Sequence, residues 1–165
     1  MIDIAHIHPM LIHFPLALIP VALLAQAIAL IKGQGLFGRN CLSGSGLALI
    51  VLAALGALVA AFFGDIALDK AVESGVPLAT METHEELGIT SAALISLLAI
   101  IELALFWRQA ESRKISLLAF GAGVVVLIVL LTTAAFGGRL VYEQGVNVTT
   151  PAIIPSIDNS GNPLP

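Results

Sequence analysis

"SGSGLALIVLAALGALVAAFF", residues 43–63, contains not one charged side chain. As an α-helix rising 1.5 Å per residue it is about 30 Å long, the thickness of a bilayer's hydrocarbon core. Residues 9–31, 83–107 and 115–136 form apolar runs of similar length. None alternates with the period of a barrel strand, so helices are expected to carry the chain through lipid. Composition agrees: of 165 residues, 58% are hydrophobic and 11% charged, with a mean hydropathy of +1.02, against roughly 25% charged in a soluble domain. The expected fold is an all-α integral membrane protein, a four-transmembrane-helix bundle over residues 1–144. A Pro- and Asn-rich tail at 145–165 is expected to be extended on the outer side.

Orientation follows from the basic residues. Lys32 and Arg39 fall between the first two runs, and Arg108, Arg113 and Lys114 between the last two. The positive-inside rule assigns both loops to the cytoplasm and both termini to the outside, as in a multi-pass protein of a bacterial inner membrane. Trp107 beside Arg108, and Tyr142 near Arg139, are expected to anchor opposite interfaces. Only Asp3 is charged ahead of the first run, which is also longer than a signal-peptide core, so this segment is expected to stay in the mature protein.

With this topology all four histidines, His6, His8, His13 and His84, reach the outer side. Pro9 suits a first helical turn, where a missing N–H costs nothing, which makes His8 the expected cap of span one and puts His13 about one turn inside. Pro15 and Pro20 each remove a backbone hydrogen bond deeper in the same span and are expected to kink it. In "THEE", residues 83–86, Thr83 and Glu86 match a capping box, which would start span three there with His84 at its first helical position. Ala53, Ala57 and Ala61, then Gly56, Ala60 and Gly64, put small residues at four-residue spacing on faces of span two, where helices can pack closely; the alternative is a flat cofactor slot. Ala119 and Gly123 repeat that spacing in span four, and Gly137 and Gly138 are expected to relax its end. Residues 64–75 suggest a short interfacial helix.

The opening "HPMLIHFPLAL" and the closing "GGRLVYEQGVNV" resemble a bacterial membrane-protein family, the domain of unknown function twenty-two thirty-one (DUF2231), over about residues 6–148. The family's pattern includes histidines matching His8, His13 and His84, and a run matching Gly137, Gly138, Leu140, Val141 and Tyr142. Gln144 stands where the family usually has another histidine. Some members look joined to Rieske-type iron–sulfur domains, so the resemblance implies a setting of membrane electron transfer and a membrane complex with redox subunits.

Three functions follow as expectations. In the first, a b-type haem or quinone-linked electron-transfer subunit, His13 and His84 ligate haem b near the outer surface; covalent attachment is excluded because no Cys-x-x-Cys-His occurs. In the second, His6, His8 and His13, with His84 or Glu85, bind zinc or copper; Asp3 and Asp65 are either solvated surface charges or acceptors that orient the rings. In the third, a cofactor-free structural or assembly subunit, the histidines cap helix ends. Glu102, well inside a span, is either a proton-linked group for quinone chemistry on the inner side or a side chain that snorkels or pairs with Arg108. No phosphate-binding loop and no nucleophile with a placed base occurs. Cys41 is alone, and a net charge of −4 offers nothing to nucleic acid. A catalytic role is therefore not expected.

Overall fold

The computed structural model describes residues 7–110 and 112–146. Among these there is no strand. The elements are α1 (Ile7–Leu11), α2 (His13–Ile31), α3 (Cys41–Glu73), α4 (Leu78–Trp107) and α5 (Arg113–Tyr142). α1 and α2 act as one span, interrupted at Ile12, whose backbone stays helical. The interruption has a covalent cause, because Pro15 has no N–H to give the Leu11 carbonyl. Ile7–Ile31, α3, α4 and α5 are all long and apolar enough to cross a membrane. The protein is therefore multi-pass and touches lipid, and Leu24, Leu55, Leu58, Ile100, Leu118 and Ile128 point outward into it.

The spans form a ring in which each packs on the next: α2 on α3, α3 on α4, α4 on α5, and α5 back on α2. Small residues set the spacing, as the sequence suggests. Ala53, Ala57 and Ala60 of α3 are buried. A Cβ on Gly56 would stand 3.2 Å from the Phe14 Cβ, so the first span lies directly on this face. The core between the spans holds Ile19, Leu23, Ile50, Ile95 and Leu98.

Three boundaries differ from expectation, each for a local reason. α3 does not stop near residue 63 to be followed by a separate interfacial helix; it continues to Glu73, since Ala67 and Ala71 still have a core to bury against. Gly75, at φ +94°, then ends it with a reversed hydrogen bond from Val76 N–H to the Ala71 carbonyl. α4 starts at Leu78, after extended Pro77, which displaces the capping-box start. Thr83 and Glu86 are exposed positions inside the helix, and His84 lies about two turns in. α5 runs through Gly137 and Gly138 to Tyr142. Tyr142 and Trp107 are strongly exposed at opposite ends of the bundle, where interface anchors belong.

The loop after α2 closes the far end. Asn40 caps α3, its Oδ1 accepting from Ser43 N–H at 2.9 Å. Leu36 and Phe37 turn inward against Ala29, Leu30 and Ala119, and the Leu36 N–H donates to Ser116 Oγ at 3.1 Å, with both residues fully buried. Ser116→Ala strands that N–H and should lower stability by about 1–3 kcal/mol. Thermal denaturation in detergent would measure it, and an unchanged midpoint would contradict the role of this bond.

Candidate functional site

At the end of the bundle where α3 loses its apolar character, α1, α3, α4 and α5 enclose a partly open cavity of about 210 Å³, with a narrower one of about 70 Å³ beneath it. His8 and His84 line both. Their ring centroids are 6.2 Å apart and their planes cross at 78°. The backbones of α1 and α4 do not pack on each other, so the two imidazoles meet across the diagonal of the ring.

Each imidazole is held by the same device. His8 Nδ1 donates to the Ala60 carbonyl of α3 at 2.8 Å, and His84 Nδ1 donates to the Thr133 carbonyl of α5 at 3.2 Å. A carbonyl only accepts, so Nδ1 carries the proton, and in the neutral ring Nε2 keeps its lone pair. Four residues beyond each carbonyl, one helical turn, stands a glycine. A Cβ on Gly64 would lie 3.0 Å from His8 Cε1, and one on Gly137 would lie 2.7 Å from His84 Cε1. Only a bare backbone lets the rings lie this close to the helices they bond. Thr133 is itself fixed, its Oγ1 being 2.8 Å from Ser91 Oγ.

This arrangement corrects the expected pair. His13 does not face His84: it is exposed, lines neither cavity, and its Nδ1 donates to the Pro9 carbonyl of its own span at 2.6 Å. His8, expected as a cap, takes the position facing His84. Five residues at about 100° each separate His8 and His13 by about 140° around the helix, so both cannot address one cavity. The expected cluster of His8, His13 and His84 is therefore not assembled, and His6 and Asp3 lie outside the described residues. Among the described residues no three His, Cys, Asp or Glu side chains converge as a metal-binding group. Asp65 and Glu85 line the larger cavity, and neither has a hydrogen bond to an imidazole. Gln144 is exposed beyond α5.

Of the site residues Gly64, Gly137, Ala60 and Thr133, the sequence reading assigns the small ones to helix packing or a flat cofactor slot, Gly137 to a helix end and the family's closing run, and Thr133 to nothing. Their signal is a glycine one turn after the carbonyl on each neighbouring helix, which becomes visible only when the helix pairing is known. Met81, one turn before His84, also lines the larger cavity and is buried.

Glu102 is elsewhere, eighteen residues after His84. It neither snorkels nor pairs with Arg108, which is exposed. It is wholly buried, and Gln26 Nε2 donates to both of its oxygens, at 3.0 and 2.9 Å. Gln26 is likewise eighteen residues after His8. Eighteen residues are five helical turns, so one face of each diagonal span carries both polar contacts.

Among curated proteins and solved structures, none matches the chain. Residues 5–150 match the profile of DUF2231, described as a predicted membrane protein. The helical bundle and this match over most of the chain together establish that the protein belongs to the DUF2231 family of predicted membrane proteins.

Proposed function

We propose that this protein is a membrane electron-transfer subunit in which His8 and His84 hold a haem iron from opposite sides. The observation that carries this reading is the pair of imidazoles pinned through Nδ1 with both Nε2 atoms left as donors. Such a backbone hydrogen bond is what orients histidine ligands and raises their basicity. The two rings stand close together, their centroids 6.2 Å apart, so a metal between them would draw on both. The walls suit a flat group, because Ala61, Gly64, Gly88, Ala134 and Gly137 present almost no side chain. The enclosed 210 Å³ is below the roughly 300–1,000 Å³ of sites that engulf an organic ligand, so a macrocycle would keep an edge outside the walls. A haem bound here would supply a one-electron couple tuned by its two imidazoles and an apolar surround.

A second reading, a copper(I) ion on His8, His84 and the Met81 thioether, is favoured by Met81 sharing the cavity wall; imidazole and thioether suit that ion. Absorption spectra of the purified protein, oxidised and then reduced with dithionite, separate the two. A reduced b-type band supports haem. Its absence with stoichiometric copper supports the second reading, and absence of both leaves a cofactor-free structural subunit.

In the proposed orientation the loops with Lys32, Arg39, Arg113 and Lys114 face the cytoplasm of a bacterial inner membrane and the histidine end faces outward. With Cys41 replaced, a cysteine at exposed Ser74 should react with an impermeant thiol reagent in intact cells, and one at exposed Lys32 should not. The opposite pattern would invert the assignment.

A further inference from the structure

The second polar contact, at the far end of the same two spans, is built unlike a packing contact. Glu102 has no exposed surface and Gln26 is 2% exposed. One amide nitrogen serves both carboxyl oxygens, and Gln26 Oε1 is left buried without a hydrogen-bond partner. Among the described residues, the other buried polar side chains are Ser43, Ser91, Ser116 and Thr133. None is a cation, and none titrates near neutrality. From α3 the pair meets Gly46, where a Cβ would stand 3.1 Å from Gln26 Cγ, so space for the amide has been left in the neighbouring helix.

A charged carboxylate in apolar surroundings needs a cation or several donors, and here it has a single amide. A neutral acid needs one donor and one acceptor. Its O–H is the donor that Gln26 Oε1 lacks, and a partial turn of the amide, leaving Nε2 on the carbonyl oxygen and bringing Oε1 beside the O–H, pairs both. We propose that Glu102 and Gln26 form a proton-binding site in which Glu102 carries one exchangeable proton, hydrogen-bonded to the Gln26 amide. The site is about 9 Å along α4 from the helix end at Arg108 and about 27 Å from His84, counting 1.5 Å per residue. The nearer surface is therefore the one carrying the basic loops, across most of the membrane from the histidines.

Infrared spectroscopy of the full chain at neutral pH tests this independently of any cofactor. The protein should show one protonated-carboxyl C=O band that shifts down in D₂O and is missing in Glu102→Gln, a variant that puts a near-isosteric amide in place of the carboxyl group. Gln26→Leu should keep the band and move it up in frequency, because the carbonyl loses its donor. A carboxylate signal from Glu102, a band that survives Glu102→Gln, one insensitive to D₂O, or one unmoved by Gln26→Leu would each overturn the proposal. Loss of the band when sodium replaces choline in the buffer would also overturn it, identifying a cation site instead.

Discussion

If the protein holds haem as proposed, His8→Ala and His84→Ala should each abolish its b-type spectrum, and His13→Ala should leave it intact. These two positions supply the only imidazole nitrogens that line the cavity among the described residues, and removing either would take away one of the two nitrogens that would hold the iron. His13, bonded to Pro9 on an exposed surface, has no route to the cavity. Loss of the spectrum could also follow from misfolding, so the experiment includes rescue. In His8→Gly, added imidazole should occupy the vacated space and restore the band, which it cannot do for an unfolded bundle. A band that persists in His8→Ala, or vanishes in His13→Ala, would sink the assignment.

Gly137→Ala should weaken cofactor binding by about 10–100-fold, the effect typical of disturbing a group that orients a metal ligand. The new Cβ would stand 2.7 Å from His84 Cε1, and a rigid ring bonded to the Thr133 carbonyl cannot yield without losing that bond. Gly121→Ala, in the same helix and lining neither cavity, is the control: it meets nothing within 4 Å, and alanine favours a helix interior by up to about 1 kcal/mol. Titration of the purified apoprotein with haem, or with copper under the second reading, would compare the two variants. Equal affinity in both would show that Gly137 does not seat the ring.

What the sequence disclosed and what it concealed divide along one physical line. Long uncharged runs announce spans because hydrocarbon thickness demands them, and "SGSGLALIVLAALGALVAAFF" needed no partner to be understood. The identity of the facing histidine depended on where the first helix begins. Placing its start at Pro9 made His8 a cap, whereas Ile7 already belongs to α1, which turns His8 towards α3 and His13 away. The capping-box letters at Thr83 and Glu86 were real but outcompeted by Pro77, which sits directly after the turn at Gly75 and starts α4 earlier. Glu102 was legible as an intramembrane acid. Its partner was not, because Gln26 lies on another span and only the ring order of the helices brings it opposite.

The two diagonal contacts share more than a helix face. His8 and His84 are 76 positions apart, and so are Gln26 and Glu102. The supporting Ala60 and Gly64 precede Thr133 and Gly137 by a constant 73. The hairpin of α1 to α3 and the hairpin of α4 and α5 thus present corresponding residues to each other at both contacts. In this the two halves resemble the subunits of an isologous dimer, in which like residues meet, but a short turn from Ser74 to Pro77 joins them covalently. Assembly of the imidazole pair therefore does not depend on protein concentration, as it would in a dimer of hairpins. Covalent joining also frees the halves to differ: a true homodimer would set two amides or two acids against each other at the far end, whereas a single chain can oppose an acid with an amide.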